Sequence, residues 1–159
     1  MRCARIKEST AACYHIMSRI IDRRYLLDLK EKERFQRLMR ATEGFSGVQV
    51  LTYAILDNHF HLLLHVPERT SVSDREFIRR LGCLYDKQIV EGVRKHLRDL
   101  RETGAHQGAE ALKNSYTYRM YDISEFTKTL KQRFTQSYNR RHGRKGTLWE
   151  GRFKSLGVE

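Results

Sequence analysis

The 159-residue chain has one proline, one tryptophan and three cysteines. A lone Pro67 leaves nothing from which to build a Pro-rich linker, and no repeat or low-complexity tract divides the chain. Cys3, Cys13 and Cys83 are odd in number and lack metal-type spacing. The simple reading is reduced thiols in a cytoplasmic protein. No stretch approaches the roughly 20 apolar residues of a helical membrane span, so no membrane partner is expected. The opening "MRCARIKEST" lacks the apolar core of a secretory signal. Acid is the remaining shortage: 19 Asp+Glu stand against 31 Lys+Arg, a formal net charge of +12. An excess of that size points to a polyanionic partner.

The pattern of what is present fits one domain over residues 1–159. "AACYHIMSRII" (11–21), rich in β-branched and aromatic residues, predicts a first strand. Leu29, Phe35, Leu38 and Met39 recur among charges and predict an amphipathic helix from Lys30 to near Gly44. "GVQVLTYAIL" (47–56) and "HFHLLLHVP" (59–67) predict two strands joined through Asp57 and Asn58, hence a β-hairpin over 48–66. Ser73, three residues before Glu76, opens a helix expected to continue through "LGCLYDKQIV", weakest at Gly82. Residues 91–115 are charged and interrupted by Gly104 and Gly108, so 85–118 is expected to be a helical or irregular insertion. "YTYRMY" (116–121) is a candidate short strand. Asp122 or Ser124 then caps a last helix carrying Ile123, Phe126, Leu130, Phe134 and Tyr138 at helical spacing, with Gly143 at its C′ position. Strand, helix, hairpin, helix is the order of an α+β domain with an antiparallel sheet and helices on one face.

Side chains alternate along a strand, so His59, His61, Leu63 and His65 share one face while Phe60, Leu62, Leu64 and Val66 share the other. The apolar face should meet the helices. His59 and His61 would lie roughly 7 Å apart along the strand, near enough for their rings to converge on one cation. Two neutral imidazoles make a partial metal site whose other positions are left to a third ligand, water or substrate. The plainer reading, solvated histidines on an open sheet face, stands beside it, and His65 is expected to be of that kind.

The surrounding residues add a resemblance. "LDNHFHLLLHVP" resembles the His-hydrophobic-His signature of the HUH nuclease superfamily. "YHIMSRIIDRR" (14–24) is similar to the first strand of the single-tyrosine HUH transposases, in particular the REP-associated tyrosine transposase-like branch. "LKQRFTQSYNRRHGRKGTLWEGRFKS" (130–155) resembles that branch's basic helix and Gly-x-Leu-Trp-x-x-Arg-(Phe/Tyr) segment. The resemblance implies a ferredoxin-like HUH fold, His59 and His61 as ligands of Mg²⁺ or Mn²⁺, and single-stranded or hairpin DNA as partner. It also implies strand cleavage and rejoining through a 5′-phosphotyrosine, by a monomer or homodimer. The family's nucleophile lies in a Tyr-Ile-x-x-Asn-Pro motif, whose Asn is a third metal ligand, and no such motif occurs in this chain. The expectation is therefore a fragment truncated at its C-terminus, or a shortened relative that binds DNA without cutting it. Tyr138 is the substitute nucleophile to weigh, against a packing role on the apolar stripe of its helix.

The basic residues mark a candidate DNA surface. Lys128, Lys131, Arg133, Arg140, Arg141, Arg144, Lys145, Arg152 and Lys154 face only Glu150 in the same span, and phosphates would relieve their repulsion. Gly143 and Gly146 flank Arg144 and Lys145, so this turn can bring its backbone close to a phosphate. Trp149 either stacks on an unpaired base or anchors the core. Arg23 and Arg24 are further candidates for backbone contacts. Two alternatives remain open at this point: a non-catalytic nucleic-acid module built on a ferredoxin-like sheet, and a water-using phosphodiesterase with no base beyond Asp57.

Overall fold

A computed structural model describes residues 11–158, so Cys3 lies outside the described residues. Strands β1 (Ala12–Arg19), β2 (Gln49–Ile55), β3 (His59–Val66) and β4 (Lys154–Val158) form one antiparallel sheet in the order β2-β3-β1-β4. The helices are α1 (Leu29–Ser46), α2 (Asp74–Leu84), α3 (Lys87–Glu102), α4 (His106–Thr117) and α5 (Ile123–Arg141). None of the helices among the described residues is long and apolar enough to cross a membrane.

The period of two along β3 decides the layering. Phe60, Leu62 and Leu64 are fully buried against Phe35, Met39, Leu130 and Phe134 from α1 and α5, whereas the histidines remain partly open. The amphipathic patterning of α1 and α5 thus covers one face of the sheet, as the α+β reading requires. Asp28 caps α1 by accepting from the Glu31 amide at 2.8 Å, and Asp122 caps α5 through the Ser124 and Glu125 amides. Gly47 ends α1 at φ 73°, and a Cβ there would stand 2.8 Å from the Tyr121 ring, so both backbone and space demand glycine.

Three elements depart from the sequence expectation. The helix opened by Ser73 breaks at Tyr85 rather than continuing, because Asp86 caps a new helix through the Ile89 amide. The charged segment that follows is helical, and α2, α3 and α4 share with Phe45 of α1 a second core of Phe77, Leu81, Val90, Val93, Leu97, Ala109 and Met120. Residues 116–121 form no strand. They are the end of α4 and a turn in which Arg69 donates to the carbonyls of Thr117 and Met120 while Met120 is buried. Burial of that one side chain and the satisfied carbonyls outweigh the local alternation of aromatic residues. Strand β4, not anticipated from its short basic sequence, pairs Lys154–Val158 with the far edge of β1.

Candidate functional site

Among the described residues no helix covers the other face of the sheet, and that face carries the histidines. Register sets Met17 of β1 opposite His61 and Arg19 opposite His59, so His15, Met17 and Arg19 share this face with His59 and His61. The His59 and His61 ring centroids are 5.1 Å apart with planes at 80°. With a metal–nitrogen bond of about 2.1 Å, two imidazoles sharing an ion place their centroids roughly 4.5–5 Å apart. The pair is half-buried, and its centroid separation is close to what a two-histidine ligand set needs.

Asn58, the last residue of the hairpin turn, organises His59. Its Nδ2 donates to the Arg23 carbonyl at 3.2 Å, which aims Oδ1 at His59 Nδ1, 2.7 Å away. An amide oxygen only accepts, so His59 carries its proton on Nδ1 and keeps the Nε2 lone pair for a cation. The turn that supplies the carbonyl is unusual: Asp22 and Arg23 both adopt positive φ, 55° and 53°, although neither is glycine. Backbone bonds from Ile20 N to Asn58 O and from Leu27 N to Asp57 O clamp that turn to the hairpin.

His61 hydrogen-bonds through Nδ1 to His15 Nε2 at 2.9 Å. Burial, followed by the neighbouring His59, His15 and Arg19, pushes the His61 imidazole below its ordinary range and keeps it neutral. A neutral ring is the ligand form. His65 stands apart, bonded to Gln49 Oε1 at 3.0 Å. Asp57 is exposed and pairs with Lys32 at 2.5 Å, the behaviour of a turn residue. Among the described residues no group of three His, Cys, Asp or Glu side chains is placed to hold a metal ion.

The basic C-terminal segment divides into two kinds of residue, which corrects the expectation of a uniform phosphate-facing run. Arg133 donates to the Leu84 carbonyl at 2.9 Å and lies over the Tyr85 ring. Arg141 pairs with Glu31, and Arg144 donates to the Asn139 side chain and the Thr147 carbonyl, holding its loop. Lys131 donates to the Gly151 carbonyl and sits over the Trp149 ring. These cations hold the fold first. Arg140, Lys145, Arg152 and Lys154 point to solvent, as do Arg23 and Arg24 in the turn beside Asn58. Lys128, Lys131, Arg152 and Phe153 line a cleft of 780 Å³ between α5 and the segment before β4.

Two further expectations resolve toward packing. Trp149 is 5 % exposed, packs on Phe35, Phe60 and Phe134, and donates its indole N–H to the Lys131 carbonyl and Thr135 Oγ1. It anchors the core, and the edge it shows to the cleft beside Lys131 is too small to stack a base. Tyr138 is likewise 5 % exposed, stacked on His142 with centroids 4.1 Å apart. Burial, with the Glu31 carboxylate second, raises its phenol, the direction opposite to an activated nucleophile. Tyr138→Phe is therefore expected to leave DNA affinity within about two-fold of wild type in a fluorescence-anisotropy titration and to shift stability by under about 1 kcal/mol.

Three site residues escaped the sequence reading: His15, Arg19 and Asn58. The first two stand four apart on one strand and so share a face, a visible signal. That this face lies against the histidines depends on β1 pairing with β3, which no local pattern reveals.

A family profile described as "Transposase IS200 like" matches residues 8–107, which include β1, the hairpin and both histidines. Among solved structures, a REP-associated tyrosine transposase bound to a REP hairpin shares the fold with a TM-score of 0.57 and 11 % identity. The match covers 100 % of this chain and 63 % of that one, so this chain spans under two thirds of its length. A candidate transposase from Deinococcus radiodurans R1 gives a TM-score of 0.51 at 12 % identity, over 100 % of this chain and 87 % of that one. No curated protein matches the chain.

Proposed function

This chain belongs to the IS200-like transposase family, and from that premise we propose that its open sheet face binds a divalent ion and DNA for cleavage and rejoining of single-stranded or hairpin substrates. The observation that carries the reading is Asn58: an amide locked by the Arg23 carbonyl dictates which nitrogen of His59 is free, and the His61 ring lies 5.1 Å from that of His59. A solvated histidine needs no such orientation. Bound there, Mg²⁺ or Mn²⁺ would polarise a scissile phosphate and stabilise a departing oxygen.

The chain's own residues supply binding and orientation. Arg19 lies on the same face opposite His59, and its guanidinium can donate to a phosphate oxygen. Arg23 and Arg24 extend that positive charge from the turn after β1 toward the end of α5, where Arg24 and Arg144 lie near enough to act on Tyr138. Arg140, Lys145, Arg152 and Lys154 continue it for a longer nucleic-acid strand. These contacts position the backbone without reading sequence. The chemistry proposed for the family member is a transesterification in which a tyrosine oxygen attacks phosphorus and the 3′ oxygen leaves. The resulting 5′-phosphotyrosine conserves the bond energy, and the free 3′-OH reverses the step. The buried Tyr138 is not assigned that role.

The test is a hairpin oligonucleotide with a single-stranded flank, titrated by anisotropy with and without Mn²⁺. Binding is expected in both conditions and tighter with the ion. Equal affinity in the two conditions would favour a non-catalytic nucleic-acid module instead. The triple substitution Arg140→Ala, Lys145→Ala, Arg152→Ala is expected to weaken all sequences alike and to flatten the log–log salt slope by about 2–3 units. An unchanged slope would remove these residues from the interface.

A further inference from the structure

His59 has its tautomer dictated by an amide, whereas His61 is bonded to another histidine, and a single proton lies between His61 Nδ1 and His15 Nε2. The geometry of that bond is well defined. The ring centroids are 5.1 Å apart, the planes differ by 8°, and the nitrogens are 2.9 Å apart. That centroid separation nearly equals the bond length plus the two ring radii, which puts both nitrogens on the line joining the centroids. The rings are therefore coplanar and edge to edge, with the lone pair of one nitrogen aimed along the N–H of the other. Face-to-face stacking would bring the centroids much closer at the same nitrogen distance.

Only one of the two proton placements leaves His61 able to bind a cation through Nε2. If His15 donates, His61 holds its own proton on Nε2 and presents an N–H to the space it shares with His59. If His61 donates from Nδ1, its Nε2 lone pair is free, and His15 serves as acceptor with its proton on Nδ1. We propose that His15 is a positioning residue: it accepts the Nδ1 proton of His61 and so fixes the ring and tautomer that make His61 a metal ligand. The inference rests on the reading of His59 and His61 as a ligand pair. It gives the two ligands matching supports from different parts of the fold, Asn58 in the hairpin turn for one and His15 on the neighbouring strand for the other. An acceptor on the far nitrogen also raises the basicity of the ligating one and holds the ring against rotation. β1 carries His15 diagonally across from His61, in register with Leu63, so a rigid ladder sets the distance.

Two measurements on the 159-residue chain test this. The first is the ¹⁵N–¹H long-range spectrum of the histidine rings in the metal-free protein, which distinguishes Nδ1–H from Nε2–H without any ion. His61 is expected as the Nδ1–H tautomer in wild type and as a mixture in His15→Phe, which retains a flat ring but no acceptor. A wild-type His61 protonated on Nε2 overturns the proposal. The second is Mn²⁺ calorimetry. His15→Phe is expected to weaken Mn²⁺ by about 10–100-fold, and His15→Gln, whose Oε1 still accepts, to return within about three-fold of wild type. Equal affinity of wild type and His15→Phe, or a Gln variant as weak as Phe, overturns the role of His15 and leaves the ligand pair standing. Failure of wild type to bind Mn²⁺ overturns the ligand pair and this proposal with it. His15 is half-buried on an uncovered sheet face, so both variants are expected to melt within a few degrees of wild type.

Discussion

Replacing His59 and His61 together by alanine is expected to weaken Mn²⁺ binding at least about 100-fold in calorimetry, because groups that merely support a ligand are already worth about 10–100-fold. The same variant should retain DNA affinity within about two-fold when no divalent ion is present. The exposed cations of the last turn of α5, its following loop and β4 are not altered by it. His65→Ala serves as the control, since His65 lies farther along β3 and bonds Gln49 in the sheet. It should bind Mn²⁺ as wild type does. The rings sit on the uncovered face, so neither change opens a core cavity, and the effect should appear in binding rather than in folding. A double variant with wild-type Mn²⁺ affinity would place the ion elsewhere and return the histidines to the solvated reading.

The second large effect concerns Glu31. This carboxylate is 1 % exposed, in the first turn of α1, and it accepts from Arg34 at 2.8 Å, from Arg141 and from His142 at 3.1 Å. Arg141 and His142 end α5, so one buried acid ties the start of one covering helix to the finish of the other. Burial by itself pulls the Glu31 carboxyl upward; the hydrogen bonds from Arg141 and His142 and the charges of Arg141 and Arg34 outweigh it and leave it lowered. Glu31→Ala leaves the partly exposed guanidiniums of Arg141 and Arg34 without their acceptor and an empty site in the first turn of α1, together a loss of about 1.5–3 kcal/mol. For a domain of this size that corresponds to a loss of roughly 3–12 °C in melting temperature.

The pH dependence has a definite sign. A lowered carboxyl contributes stability that is fully present above its ordinary value of 4.5 and is lost as pH falls through the lower folded value. The gap in melting temperature between wild type and Glu31→Gln should therefore be widest near neutrality and close below pH 4.5. A gap that persists unchanged in acid would mean that packing, not charge, makes Glu31 important. Because Arg140 and Arg144 flank the same helix end, Glu31→Ala should also loosen DNA binding at temperatures approaching its melting point.

Much of the architecture was legible because it rests on local periodicity. Phe60, Leu62 and Leu64 alternating with the histidines announced both a strand and its two unlike faces, and Asp57–Asn58 announced the turn. The stripe Phe126, Leu130, Phe134 and Tyr138 announced α5 and its buried side. Where the chain departed from expectation, a distant contact outweighed the local preference. Residues 116–121 became a turn because Arg69 satisfies their carbonyls, and β4 became a strand because the edge of β1 was available to pair with it. Residue type alone could not tell which arginines are free: Arg133 and Arg141 read like Arg140 and Arg152, yet the first two are tied to Leu84 and Glu31.

The order of residues by itself determined the sheet-and-helix layering, the net positive charge and the placing of His59 and His61 on one face, since each follows from periodicity or composition. Only the tertiary structure decided that β1 lies beside β3. With that pairing His15 meets His61 across the ladder, Arg19 stands opposite His59, and the turn after β1 offers its carbonyl to Asn58. The reason is physical: a ring's free nitrogen is set by what the other nitrogen touches, and for these two histidines one partner is adjacent in sequence while the other is 46 positions away.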